Sequence, residues 1–130
     1  MTTSYQEKKN LFEVIFYKDK KGKEPVRDYF ISLFENDSKD NRIKREKIED
    51  CMNVLKKNGA RAGLPYVKHL EGKIWELRPL SDRILFFTYV NNTIVLLSHF
   101  QKKTQKTPKR EIKKAEKLMN DYIERSKDNE

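Results

Sequence analysis

The densest run of hydrophobic positions falls between residues 74 and 103. It reads IWELRPL, breaks at SD, resumes as RILFFTYV, breaks at NN and ends as TIVLLSHFQKK. Each run is rich in β-branched and aromatic residues, which fit a pleated, half-buried surface, and the breaks are short and polar. That pattern predicts an antiparallel meander of three strands. Asn91-Asn92 is a two-residue link, and asparagine tolerates the positive φ of tight hairpin turns. Pro79, Ser81 and Asp82 mark the earlier turn. The last two runs are apolar at almost every position, as expected of strands covered on one face and pressed against neighbours on the other. The polar exceptions, Arg78, Arg83, His99, Gln101, Lys102 and Lys103, stand at strand ends or breaks.

The flanking segments supply helices and two further strands. Residues 11–17 (LFEVIFY) alternate well enough for a first strand, ending at the polar KDKKGKE turn. Pro25 stands where a first helical residue belongs, and Val26, Tyr29, Phe30, Leu33 and Phe34 follow at helical spacing. A second helix is predicted over residues 38–57, burying Ile48, Cys51, Met52 and Leu55 and closed by Asn58-Gly59. ARAGLP reads as a loop, residues 66–70 as a short strand or an extended approach to the meander, and Glu71-Gly72 as a turn. Thr107-Pro108 then opens a last helix, with Ile112, Ala115, Met119 and Tyr122 as its narrow apolar stripe. The order β-α-α-(β)-β-β-β-α, with the strand over 66–70 optional, predicts an α+β fold: a small, mostly antiparallel sheet with helices packed on one face. A single domain is expected over residues 11–125, with a mobile N-terminus over 1–10 and a frayed tail over 126–130.

Composition narrows the class. The chain has 130 residues, 38% charged and 36% hydrophobic, and no run nears the roughly 20 apolar residues that span a bilayer. The polar start MTTSYQEKKN lacks the apolar core of a signal peptide. The one cysteine, Cys51, cannot form an internal disulfide, and its place on an apolar stripe makes it core instead of nucleophile. A cytoplasmic protein with no membrane partner is expected. The net charge is +9, and residues 102–117 hold eight cations against two carboxylates, a net +6. Such a cluster is most often a solvated helix face, but here it follows a strand end bearing His99. It suits a nucleic-acid backbone, an anionic surface or an acidic protein partner.

Two histidines and one cysteine show no metal-ligand spacing, four glycines form no phosphate-binding loop, and no serine sits in a nucleophile turn. No metal and no cofactor are expected. The remaining parts fit phosphate chemistry. Cleaving RNA through its own 2′-hydroxyl needs a base, positive donors for the developing charge and an acid for the leaving oxygen. As a histidine, His99 is the candidate for taking or giving a proton. Arg78 and Arg83 flank one turn with planar forks for phosphate oxygens, and Lys102 and Lys103 add charge at the exit of the last strand. Each has a plainer reading: a lone strand histidine is more often structural, and Arg78 can simply pair with Glu76 or Asp82.

The strings KHLEGKIWELRPL, DRILFFTY and HFQKKTQKTPKREI resemble the HigB-like branch of the RelE/ParE toxin superfamily, the host-inhibition type also found as phage-derived proteins. The resemblance runs over roughly residues 12–119. It implies the small α+β toxin fold and the toxin role in a type II toxin–antitoxin module, with ribosome-dependent, metal-independent cleavage of mRNA that inhibits translation. The implied partners are mRNA on the ribosome and a HigA-like helix-turn-helix antitoxin. By position it makes Arg78, Arg83 and His99 the catalytic candidates. Lys68, Lys102 and Lys103 become RNA-binding candidates by the same carry-over, Lys106, Lys109 and Arg110 of the cationic cluster join them, and Glu76, on the Arg78 face of its strand, is a possible orienting carboxylate. The chain lacks a tyrosine between His99 and Pro108, and lacks the C-terminal Asp-Tyr-His cluster of some HigB toxins. The general base therefore stays open. A ParE-like gyrase inhibitor and a non-catalytic RNA-binding module are the other classes the sequence allows.

Overall fold

The computed structural model of the protein describes residues 9–127, and eight elements form among them where the hydrophobic pattern places them. In chain order they are β1 (Glu13–Phe16), α1 (Pro25–Glu35), α2 (Lys39–Asn58), β2 (Val67–Glu71), β3 (Ile74–Leu77), β4 (Asp82–Tyr89), β5 (Thr93–Gln101) and α3 (Lys109–Lys127). A single 3₁₀ turn, Gly59–Ala62, follows α2. Ser126 and Lys127 belong to α3, so the helix outruns the expected frayed tail by two residues. The rest of that tail, and all but two residues of the expected N-terminal segment, lie outside the described residues.

Local chemistry sets the helix ends. Pro25 occupies the first turn of α1, where a missing N–H costs nothing. The Ser38 side chain caps α2 by accepting from the Asn41 N–H at 3.1 Å. Gly59 ends α2 with φ +61° while its N–H donates to the Leu55 carbonyl. A Cβ at Gly59 would stand 2.6 Å from the Phe12 ring, so both the backbone conformation and the packing demand glycine. The N–H groups of Leu11 and Phe12 both donate to the Lys56 carbonyl, which seats the chain leading into β1 on the end of α2.

The strands form one mixed sheet in the order β1-β5-β4-β3-β2, with β1 parallel to β5 and every other pair antiparallel. The β4–β5 hairpin pairs Tyr89 with Thr93, so its link is Val90-Asn91-Asn92, one residue longer than expected. Asn91 and Asn92 take φ +58° and +56°, the left-handed values for which asparagine is suited.

The fold class is α+β, but the layer arrangement corrects the expectation of helices on one face. Ile84, Phe86, Ile94 and Leu96 pack with Val26 and Leu33 of α1 and with Ile48, Cys51 and Leu55 of α2. Leu85, Phe87, Val95 and Leu97 point the other way and pack with Ala115 and Met119 of α3. Side chains alternate along a strand, so four consecutive buried residues on each of two strands require cover on both faces. α3 supplies the second layer. Cys51 lies in the core as expected, and burial pushes its thiol up to about 11.

The β4–β5 ladder carries one irregularity. Leu85 pairs with Ser98 but Phe86 pairs with Leu96, so β5 holds an extra residue, Leu97, at a bulge. Past the bulge, the parity of β5 is reversed.

Candidate functional site

β3 and β4 together place one buried carboxylate among arginines. Glu76, 3% exposed, stands opposite Leu85 on the α3 side of the sheet, and Arg78 follows just past the end of β3 on the same side. Arg83, one residue into β4, turns to this face too. Its Nε lies 3.7 Å from Glu76 Oε1, and the Nε of Arg78 lies 4.0 Å from the same oxygen. The Arg83 Nη1 donates to the carbonyls of Leu80 at 2.6 Å and Asp82 at 2.8 Å. Leu80 holds φ +55° in the turn, an uncommon value for leucine, and its carbonyl meets the guanidinium. The other oxygen of Glu76 accepts a hydrogen bond from the Thr107 hydroxyl. Burial pulls the Arg83 pKa below the usual guanidinium value, and the Glu76 carboxylate opposes the shift.

The loop between β5 and α3 closes this arrangement into a cleft of about 260 Å³, its open mouth included. Lys68, Arg78, Arg83, Lys102 and Lys106 line it with Glu76, Phe100 and the segment from Thr104 to Thr107. Lys68 reaches it because its strand position faces Glu76 across β2 and β3. Lys102 is fixed by its N–H, which donates to the Ser81 carbonyl at 2.7 Å beyond the last strand pair. Five cations face one carboxylate that is already bonded by Thr107. A polyanion of phosphate size is the ligand such a cleft favours.

His99 does not line that cleft. The bulge pairs His99 with Ile84, on the α1 side of the sheet, while Arg83 and Phe100 face α3. There the His99 Nε2 lies 3.1 Å from Asp82 Oδ1, and the Tyr29 hydroxyl of α1 donates to Asp82 Oδ2 at 2.9 Å. The Tyr29 and His99 rings stack at 3.6 Å with 16° between their planes. Burial, then the bond to Asp82, raises the Tyr29 pKa well above the ordinary phenol value.

The family model for phage-derived Gp49-like proteins (DUF891) matches residues 37–120. The chain belongs to that family. The match spans α2, the strands β2 to β5 and more than half of α3, and so takes in the whole cationic cleft together with Asp82 and His99. The Gp49-like family is associated with toxin–antitoxin toxins of the RelE/HigB-like type. No curated protein matches the chain significantly.

In this Gp49-like chain the remaining candidates are distributed around the cleft. Lys103 and Arg110 line a second, more open groove with His99, Gln101 and Glu111, and that groove shares Phe100 and Thr104 with the cleft. Lys109 is exposed at the first residue of α3. Glu76 lies within ion-pair distance of both Arg78 and Arg83, and Arg78 pairs with Glu76, not Asp82. By sequence Tyr29, Asp82 and Thr107 are core, turn and cap, and none is a site candidate. The spacing of Tyr29 fits a buried stripe, and no local signal in the sequence couples it to residues 82 and 99. Among the described residues, no group of three or more His, Cys, Asp and Glu could hold a metal ion. No helix there is long and apolar enough to cross a membrane.

Proposed function

We propose that this chain is the toxin of a type II toxin–antitoxin module, a cytoplasmic HigB-like endoribonuclease that cuts mRNA on the ribosome without a catalytic metal. The observation that carries the reading is the buried Glu76, bonded by Thr107 and flanked by Arg78 and Arg83, at the floor of a cleft with five cations. Glu76 fixes the guanidinium of Arg83, whose forks are then preorganised for phosphate oxygens. In the proposed reaction the 2′-hydroxyl of a ribose gives up its proton as its oxygen attacks the adjacent phosphorus, the bond to the 5′-oxygen of the next nucleotide breaks, that oxygen takes a proton from solvent water, and a 2′,3′-cyclic phosphate remains. Arg78 and Arg83 stabilise the charge that builds on the phosphoryl oxygens, and Lys68, Lys102 and Lys106 hold the neighbouring backbone. Because the cleft and the His99 groove share a rim at Phe100 and Thr104, a strand lying across the end of β5 meets both. A cotranscribed HigA-like helix-turn-helix antitoxin is the expected neutralising partner.

The test exposes naked mRNA and translating ribosomes to the purified protein, with chelator added to the naked-RNA arm. Cleavage confined to ribosome-bound message, leaving cyclic-phosphate and 5′-hydroxyl ends, is the expected result. Magnesium-dependent cutting of naked RNA overturns it. Growth arrest without any RNA cleavage points instead to a gyrase-inhibiting toxin.

A further inference from the structure

The Tyr29–Asp82–His99 cluster lies on the opposite sheet face from the arginine cleft. Its three members come from α1, the start of β4 and the end of β5, so they meet only in the folded chain. Asp82 is 1% exposed, and each of its oxygens has a different partner. A phenol hydroxyl facing a carboxylate donates, so Tyr29 holds Oδ2. Oδ1 then accepts from Nε2 of His99, which requires the imidazole proton on Nε2. Nδ1 is left as the ring's basic nitrogen, with no partner among the described residues. The ring is held flat against Tyr29 and keeps an edge on the groove lined by Lys103 and Arg110.

From this geometry we infer that Asp82 and Tyr29 are positioning residues that lock His99 in the Nε2–H tautomer, leaving Nδ1 to take the proton of the attacking 2′-hydroxyl where a strand crosses the rim at Phe100 and Thr104 that the cleft and the His99 groove share. The inference rests on the ribonuclease reading for the identity of the proton donor, though not for the lock itself. Glu76 is the other carboxylate near the cleft, but its oxygens already meet Thr107 and two guanidinium groups. Both oxygens are thus occupied in holding Thr107 and the arginines. The proton passes from the 2′-oxygen to Nδ1 as the oxygen–phosphorus bond forms, giving an imidazolium whose charge Asp82 balances. A structural role alone, pinning α1 to the sheet, requires the two hydrogen bonds but is indifferent to the tautomer.

That difference defines the experiment. In Asp82→Asn an amide that keeps its oxygen on the Tyr29 hydroxyl turns its NH₂ to Nε2 and drives the imidazole proton to Nδ1, whereas one that gives its NH₂ to the Tyr29 oxygen keeps Nε2–H. Adding Tyr29→Phe removes the bond that fixes the amide, which is then free to rotate and present its oxygen to Nε2–H. The imidazole nitrogen shifts of His99 are read by ¹⁵N NMR, with His69→Gln used to assign the two histidines, and cleavage of ribosome-bound message is measured in parallel. Folding of each variant is checked by its thermal transition. The expected results are Nε2–H in the unmodified protein and Nδ1–H in Asp82→Asn, with cleavage lowered by at least about 10²-fold in the latter. In the double variant the Nε2–H signature returns and part of the activity is recovered. An unmodified protein in the Nδ1–H form overturns the inference. So does an Asp82→Asn protein that switches tautomer yet cuts normally, or one that keeps Nε2–H and loses cleavage all the same. If the unmodified protein shows the lock but cleaves nothing in any arm, the ribonuclease reading falls and with it the base role, while the lock itself stands.

Discussion

Arg78 and Arg83 share a carboxylate, yet their surroundings differ enough to separate their effects. Arg83 is buried, donates to two backbone carbonyls and helps hold a turn in which Leu80 takes a left-handed conformation. The Arg78 side chain is 23% exposed, and Glu76 is its one ion-pair partner among the described residues. Arg78→Ala is therefore expected to lower cleavage about 10²–10³-fold, the scale of losing one preorganised donor, with a thermal midpoint close to that of the parent. Arg83→Ala leaves Glu76 buried with a weakened counter-charge and the Leu80 carbonyl without its donor. It should cost on the order of 3 kcal/mol of stability as well as activity. Arg78→Lys restores the charge but not the fork, so recovery of turnover should be partial. Thermal melts beside single-turnover cleavage check all three. A fully stable and active Arg83→Ala protein would falsify the anchoring role given to that residue.

At the scale of elements, α3 does two jobs: it covers the second sheet face, and its approach loop closes the cleft. Both depend on how its far end is held. Tyr17, just past β1, donates its hydroxyl to Asp121 at 2.6 Å, and Arg125 pairs with the same carboxylate at 2.7 Å while also donating to the Lys18 carbonyl. Burial and the Asp121 bond push the Tyr17 phenol up to about 12. An unfolded chain releases that proton near its ordinary value of about 10. Between roughly pH 10 and 12 the unfolded state therefore binds fewer protons than the folded state, and stability falls as pH rises. Asp121 has the opposite sense. The Arg125 and Tyr17 bonds hold it below the usual carboxylate range, so its contribution is present at neutral pH and is lost as pH falls below about 4. Tyr17→Phe should cost about 1 kcal/mol near neutrality and should flatten the alkaline decline, as urea midpoints at pH 7, 10 and 11 will show. Of these arrangements, the sequence revealed the meander, the helix spans and the Glu76–Arg78 face through local periodicity. It concealed the β5 bulge, because TIVLLSHFQ is almost uniformly apolar before His99 and gives no sign of an extra residue. Strict alternation from Leu96 would place His99 beside Arg83 on the α3 face. The one-residue irregularity places it against Tyr29 instead, a contact between residues far apart in the chain.

Across the whole molecule, the separate recesses join into one band of positive charge. The cleft holds Lys68, Lys102 and Lys106, and the adjoining groove holds Lys103 and Arg110. Arg110 also borders the outer face of α3, with Lys113, Lys114 and Lys117. Those three lysines are exposed and make no salt bridge among the described residues, so their charge is available to a partner instead of being neutralised within the helix. Composition alone located the charge at residues 102–117; the packing of α3 shows that its stripe faces outward and starts beside the cleft. Replacing Lys113, Lys114 and Lys117 together by Ala removes three cations that lie outside the cleft and are expected to meet RNA phosphates. The salt dependence of binding, as log affinity against log salt, should then lose about two to three units of slope. Association should slow at low ionic strength, while turnover on saturating ribosome-bound message stays at the parent rate. Arg78→Ala should show the reverse, a large fall in turnover with at most about one unit of slope lost. Titrations at four or five salt concentrations beside single-turnover rates separate the two. If the triple variant binds with an unchanged slope, the outer face of α3 is solvated surface and the band ends at Arg110.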